Sequence, residues 1–299
     1  MTDRRIDTLT DLPADTARAV LDLISGAAAA DGQPAVSEQG RLHVRGGGRE
    51  GVRHLLLFSG DDLAGYGQIE GTDPVEAPAA EFVVRPEHRL HGHGRALGDA
   101  LLAASEHRLR VWAHGGHPAA RHLSVLLGLK LFRELRQLRM PLDGPLPEPV
   151  LPDGVTVRAF RPGQDDAQWL ALNAAAFAHH PEQGSLTQRD LDDRMAEPWF
   201  DPAGFFLAFR GPTLVGFHWT KVHDDLGLGE VYVVAVAPTE QGSGLGRALT
   251  TIGLTHLATT RALPGALLYV DADNPAALAV YERLGFTTYE VDLMYRTET

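Results

Sequence analysis

One pattern occurs twice in this chain, 152 residues apart, and it restricts the possible folds more than any other feature. Pro86-Glu-His-Arg-Leu-His-Gly-His-Gly-Arg-Ala-Leu97 and Pro238-Thr-Glu-Gln-Gly-Ser-Gly-Leu-Gly-Arg-Ala-Leu249 agree at six of twelve positions. Each segment follows an apolar strand-like run and leads into a helical pattern. Later, His117-Pro-Ala-Ala and Gly128-Leu align with Asn274-Pro-Ala-Ala and Gly285-Phe. Two copies of one domain are the economical reading. The stretch from Pro141 to Gly154 holds five prolines and two glycines, a stiff and extended composition. The sequence therefore predicts a first domain over residues 1–140, a linker over 141–154 and a second domain over 155–299.

Both halves show the same order of elements. In the first, a helix is expected from Leu12 to Ala28, ended by Asp31-Gly32. Strand-like runs follow at Arg41–Val44, Val52–Phe58, Leu63–Gln68 and Ala80–Val84. A helix to about His107, a strand at Leu109–Ala113, a helix at Pro118–Leu127 and a strand at Leu129–Met140 complete it. The second half gives a helix at Asp165–Phe177, a helix after the capping box Thr187-Gln-Arg-Asp190 and a hairpin at Gly211-Pro212. The strand Glu230–Val236, a helix to about Thr260, a strand at Ala266–Val270, a helix at Pro275–Leu284 and a strand at Thr287–Tyr295 close the chain. The expected class is α/β: each half a mixed, twisted sheet flanked by helices.

An apolar strand that runs through a glycine-rich turn into a helix presents unpaired amides where the helix dipole is positive. Such a turn holds phosphate. The spacing is not Gly-x-Gly-x-x-Gly at the start of a βαβ unit, which disfavours a dinucleotide fold, and the Lys-Ser/Thr pair of a nucleoside-triphosphate loop is absent.

Gln241-x-x-Gly244-x-Gly246 after a strand ending in Val-Ala-Pro, followed by Asn274-Pro-Ala-Ala-Leu-Ala-Val-Tyr281-x-x-x-Gly285-Phe286, resembles the GCN5-related N-acetyltransferase (GNAT) superfamily. Arg89-x-x-Gly92-x-Gly94 carries a weaker form of the signature in the first half. The resemblance implies two tandem GNAT-like domains and acetyl-CoA as co-substrate, with one molecule per domain as the fuller expectation. Gln241, Gly242, Ser243, Gly244, Leu245, Gly246 and Arg247 would then hold the pyrophosphate, and Val234, Ala235 and Val236 the pantetheine. Asn274, Ala276 and Ala279 would line the cofactor from the next helix. In the first copy the corresponding residues are Phe82, Val83 and Val84 on the strand, and Arg89, Leu90, His91, Gly92, His93 and Gly94 in the turn.

The same resemblance implies direct attack of an amine on the thioester. Glu230 would take a proton from the attacking ammonium, and Tyr281 would return one to the CoA sulfur. Aligned without gaps, Pro78 stands opposite Glu230 and Ser124 opposite Tyr281, so the first copy lacks both groups. It is expected to keep a CoA-binding shape without being the catalytic centre. Across the whole chain, His180-Pro-Glu182-Gln-Gly, Trp219-Thr-Lys221-Val-His and Leu228-Gly-Glu230-Val-Tyr-Val-Val resemble a tandem branch of the superfamily that acetylates the cysteinyl amine of a glucosaminyl-inositol pseudo-disaccharide. That likeness implies substrate contacts from Glu38, Glu182, Lys221, Glu230 and Tyr269. Acetylation of another amine, such as an aminoglycoside or a protein N-terminus, and a non-catalytic acyl-CoA sensor stay open as alternatives.

Composition narrows the remaining classes. The absence of cysteine removes disulfides, thiolate metal sites and cysteine nucleophiles. His88, His91 and His93 cluster in the first glycine turn, but without further positioned ligands they point to a local positive charge, and no metal is expected. A formal net charge of -12 disfavours nucleic acid as a partner. With 44% hydrophobic residues, no run long enough for a membrane span and no signal peptide, a soluble, cytoplasmic and monomeric protein is the expectation.

Overall fold

A computed structural model describes residues 4–71, 77–178 and 181–298, apart from the side chains of Pro181 and Glu182. It separates into two compact units. Residues 1–135 and 290–299 form the first, and residues 136–289 the second.

The chain opens with strand β1 (Arg4–Leu9), which the sequence reading did not anticipate, and then helix α1 (Ala14–Asp31). Gly32, left-handed at φ 68°, ends α1 where Asp31-Gly32 predicted a stop. Residues 38–45 correct an expectation: Arg41–Val44 is not a strand but part of helix α2 (Glu38–Arg45). The Ser37 hydroxyl accepts the Gly40 amide as an N-cap, and Gly40, Leu42, His43 and Val44 are buried. The alternation of Leu42 and Val44 imitated a strand, whereas the cap at Ser37 starts a helix. The unit continues with β2 (Val52–Ser59), β3 (Asp62–Glu70), β4 (Ala79–Val84), α3 (His93–Ala104), β5 (Arg110–Ala113) and α4 (Pro118–Leu126). Strand β6 (Lys130–Pro141) carries the chain into the second unit.

There the order is β7 (Val155–Ala159), α5 (Asp166–Ala176), α6 (Pro181–Gly184), α7 (Gln188–Met195), β8 (Phe205–Arg210), β9 (Thr213–His223) and β10 (Leu228–Val236). Helix α8 (Leu245–Thr255), β11 (Gly265–Asp271), α9 (Pro275–Leu284) and β12 (Thr287–Arg296) follow. Helix α7 begins on the expected capping box, with Thr187 and Asp190 exchanging side-chain and backbone bonds.

The last strand departs from the expected partition. Leu293–Arg296 of β12 pair antiparallel with Ala113–Arg110 of β5, so the end of the chain completes the first unit rather than the second. The second unit receives β6 beside β11 in its place. The compact units thus divide at 135/136 and 289/290, not at the proline-rich stretch. Local composition reports stiffness, whereas strand partners are set by non-local register.

Among the described residues, β4 pairs parallel with β5 and β10 with β11, and α3 and α8 span these junctions as crossover helices. Apolar layers cover the strands of the first unit. Leu97 and Leu101 of α3 pack with Leu55, Leu57 and Ile69, while Val20, Leu23 and Ile24 of α1 pack with Leu56, Tyr66 and Val83. In the second unit, Trp169 of α5 makes edge contacts with Phe205, Phe217 and Trp219 at ring separations of 5.7, 5.5 and 5.6 Å.

On its other face α8 approaches β9 closely. A Cβ on Gly253 would lie 2.1 Å from the His218 ring. His218 is fully buried, with Nδ1 2.7 Å from the Leu249 carbonyl oxygen. Burial lowers its pKa to about 4; the bond to Leu249 opposes this and the nearby His256 adds to it. Because the folded value lies below the unfolded value of about 6.5, stability contributed by neutral His218 is complete above pH 6.5 and is lost between pH 6.5 and 4. The expected loss is about 3 kcal/mol. Urea titrations at pH 7 and pH 4.5 should show a smaller acid loss in His218→Gln, whose amide can still donate to Leu249.

Candidate active site

The site grows from the hairpin β9–β10. Register places Glu230 opposite Lys221 and, on the other side, beside Leu267 of β11. Tyr269 is two residues beyond Leu267, so Lys221, Glu230 and Tyr269 share one face of three adjacent strands. A bulge between Val231 and Val233 adds Tyr232 to that face's aromatic wall. Trp199 packs at 5.1 Å from the Tyr232 ring, the Lys221 ammonium lies 4.6 Å from the Trp199 centroid, and Arg194 donates to the Tyr232 hydroxyl at 2.9 Å.

Glu230 is only 5% exposed, and its Oε2 lies 2.6 Å from His223 Nε2. Sequence reasoning singled out no role for His223. The signal was available: a hairpin turning at Asp224–Gly227 makes His223 the diagonal neighbour of Glu230 on the same face.

Parallel pairing of β10 with β11 is confined to Gly229 with Ala266 and Glu230 with Leu267. Beyond Glu230 the strands part, and Val234, Ala235 and Val236 are half-buried, paired on the β9 side with His218, Phe217 and Gly216. The β11-facing backbone edge of β10 is thereby left for another partner. The first unit repeats this opening: β4 pairs with β5 only at Ala79 with Arg110 and Ala80 with Val111, leaving Phe82, Val83 and Val84 past the junction.

At the end of β10, a single helical turn at Pro238–Glu240 precedes Gly242 and Gly244, at φ 78° and 86°. The Ser243 hydroxyl donates to the Glu240 carbonyl and accepts the Leu245 amide. Arg210 grips Glu240 through two bonds of 2.8 and 3.0 Å, fixing the outer wall of the turn. Among the described residues, the amides of Gly242, Gly244, Gly246 and Arg247 have no acceptor, as expected at a helix start. A Cβ at Gly242 or Gly244 would meet nothing within 4 Å. The glycines there are required by backbone conformation, and the space over the amides is open.

The first copy builds a similar turn with different chemistry. Leu90 stands where the second copy has Gly242 and is held left-handed at φ 63°, fully exposed. Arg89, in place of Gln241, is committed to a two-pronged bond with Asp31 at 2.6 and 2.9 Å. Arg4 donates to the His91 carbonyl, and His93 is buried in the first turn of α3. A Cβ on Gly94 would come within 3.1 Å of Leu123. Among the described residues, no group of three or more His, Asp or Glu side chains is placed to hold a metal ion.

Helix α9 begins at Asn274, whose Oδ1 accepts the Ala277 amide as its cap. Ala276 is exposed at the start of α9, with Ala279 half-buried one turn on. Tyr281 follows, packed beside Phe286 at 5.9 Å. Burial pushes the Tyr281 hydroxyl up to about 12, which keeps it protonated at neutral pH. Its hydroxyl has no hydrogen-bond partner among the described residues.

Tyr269 is oriented by Gln137, whose amide donates to its hydroxyl at 2.8 Å, and Arg139 in turn donates to Gln137. Glu38 belongs to the first unit, where it opens α2. The Glu182 side chain lies outside the described residues.

With this geometry in view, relatives are informative. The Acetyltransferase (GNAT) family matches residues 169–286. The chain is 72% identical over 297 residues to the mycothiol acetyltransferase of Streptomyces avermitilis, covering 99% of this chain and 96% of that one. The chain belongs to the mycothiol acetyltransferases of the GNAT family. Another mycothiol acetyltransferase, from Thermobispora bispora, is 54% identical over 283 residues, covering 93% of this chain and 95% of its own. Among solved structures, a tandem GNAT protein from the clavulanic acid biosynthesis pathway superposes with a TM-score of 0.72 at 17% identity, covering 99% of both chains. A GCN5-related N-acetyltransferase from Sphaerobacter thermophilus gives 0.67 at 24% identity, over 97% of this chain and 95% of that one. These two likenesses concern the fold. Family membership makes this mycothiol acetyltransferase relative an acetyl-CoA-dependent N-acetyltransferase, as the glycine turn and the Asn274–Phe286 segment implied.

Proposed function

We propose that the second unit transfers acetyl from acetyl-CoA to the cysteinyl amine of cysteinyl-glucosaminyl-inositol, producing mycothiol. The observation that carries the substrate assignment is the 72% identity over nearly the whole chain to a mycothiol acetyltransferase. The open amides of Gly242, Gly244, Gly246 and Arg247 receive the pyrophosphate, and the unpaired edge at Val234–Val236 receives the pantetheine amides. The β10 backbone polarises the thioester carbonyl. Glu230 takes the ammonium proton, the amine attacks the carbonyl carbon, and the C–S bond breaks with Tyr281 protonating the departing thiolate; the second proton, shed by the nitrogen as it becomes an amide, restores the Tyr281 hydroxyl. No acyl-enzyme is formed. An α-amino group with a pKa near 8 is almost ready to react at neutral pH, so positioning contributes as much as basicity.

Lys221, Tyr269 and Glu182 serve the sugar and inositol hydroxyls, which need both donors and acceptors. The first unit binds CoA in its own splayed strands without transferring from it. Support for that division comes from Pro78 and Ser124 at the positions of Glu230 and Tyr281. Its sheet face is also filled: Gln68 and Glu81 sit directly under Gly40 of α2, where an added Cβ would lie 2.2 and 2.5 Å from them.

The function is tested by incubating the protein with acetyl-CoA and a panel of amines while following thiol release. The pseudo-disaccharide should turn over with the highest kcat/KM, and aminoglycosides and N-terminal peptides should be at least about 100-fold poorer, the discrimination that unpaired buried polar groups provide. CoA binding without turnover of any amine would contradict the reading.

A further inference from the structure

We infer that His223 is a positioning residue for the proposed base: it clamps one oxygen of Glu230 so that the other faces the amine. The inference rests on the assignment of Glu230 above. A carboxylate accepts and never donates, so the 2.6 Å approach requires the proton to sit on His223 Nε2 and to point at Glu230 Oε2. The bond is charge-assisted and short. It uses one carboxylate oxygen and leaves Oε1 for the substrate ammonium or a bridging water.

The framework around the pair favours this role. His223 ends β9, directly opposite Leu228, and the hairpin fixes its distance from Glu230 through two paired rows. The Glu230 side chain is 7% exposed and that of His223 22%, so the imidazole closes the solvent side of the carboxylate. Two residues before His223 on β9, Lys221 extends over Trp199 and Tyr232, at 4.6 and 5.2 Å. Three side-chain torsions set the position and orientation of a glutamate carboxylate, and without a clamp it samples orientations in which neither oxygen meets the amine. A catalytic group held loosely loses rate without losing ligand affinity.

The test is a double-mutant cycle on the full chain. His223→Ala should lower kcat by about 10- to 100-fold, the value of a charge-assisted hydrogen bond, and leave KM for acetyl-CoA within twofold. His223→Phe keeps a flat ring without the N–H and carries the same expectation, which guards against poor folding of the alanine variant. His223→Gln, with an amide donor of similar reach, should recover most of the loss. In a Glu230→Gln background, His223→Ala should cost less than about twofold, because there is no base left to orient. Wild-type turnover in both His223→Ala and His223→Phe, or a loss that persists undiminished in the Glu230→Gln background, would overturn the inference. A Glu230→Gln variant that itself turns over normally would instead remove the assignment of the base, which is a separate result.

Discussion

Tyr281→Phe is expected to lower kcat by on the order of 10²- to 10⁴-fold while leaving the fold intact, and Glu230→Gln by a similar factor. The two expectations are separable from stability for structural reasons. The Tyr281 hydroxyl has no hydrogen-bond partner among the described residues, and its ring packs at the edge of the apolar layer formed by Leu254, Leu257, Leu268 and Phe286. Removing the oxygen deletes no bond that the fold uses. Burial lifts the pKa of this hydroxyl to about 12, so at neutral pH it holds its proton. Phenylalanine preserves shape and removes only that donor. For Glu230, glutamine keeps an oxygen for His223 to donate to and abolishes proton uptake. Steady-state kinetics with acetyl-CoA and the amine, paired with thermal unfolding, check both. Full turnover in both variants would sink the proton-transfer scheme.

His114→Ala should destabilise the first unit by about 3 to 5 kcal/mol. His114 lies between two buried carboxylates, with Nε2 2.8 Å from Glu81 and Nδ1 3.1 Å from Asp292. Glu81 also accepts the Ser37 amide and hydroxyl and the Gln68 amide, while Asp292 accepts the Gly115 amide. Burial alone would lower the His114 pKa, but the bonds to Asp292 and Glu81 and their charges outweigh it and raise the value to about 10. Burial would raise Glu81, yet its bonds to His114 and Ser37 and the imidazolium charge bring it below its ordinary value. Alanine would leave two buried carboxylates facing an empty space. The sign of the pH dependence follows: stability from His114 is complete below about pH 6.5 and is lost as pH rises toward 10. Amide exchange in β4, β5 and residues 290–296 should accelerate in the variant. Unchanged protection there would contradict the account.

This network also explains what the sequence could not disclose. Its members come from the N-cap of α2, β3, β4, the residues after β5 and β12, and no local pattern announces that Asp292 will meet His114. The crossing of β12 into the first unit is hidden for the same reason: Thr287–Tyr295 reads as a strand, but its partner β5 lies far away in sequence. Helix α2 was missed because its eight residues are too few to override the alternation of Leu42 and Val44, although Ser37 and the glycines after Arg45 marked its ends. What was legible was local and conformational. Thr187 and Asp190 do form their box, and the turn carrying Gly242 and Gly244 does lead from a strand into a helix. The parting of β10 from β11 begins immediately after Glu230, a point that only the register between the strands fixes.

The duplicated turn offers the most direct measurement of the central claim, that transfer occurs in the second unit. Gly244 and Gly92 hold the same left-handed position before α8 and α3, at φ 86° and 79°. Valine at either one strains the backbone by about 1–2 kcal/mol and crowds the amides. Gly244→Val should raise KM for acetyl-CoA at least about tenfold or abolish transfer, while Gly92→Val leaves kcat and that KM close to wild type. Transfer that survives Gly244→Val and vanishes in Gly92→Val would place the chemistry in the other unit.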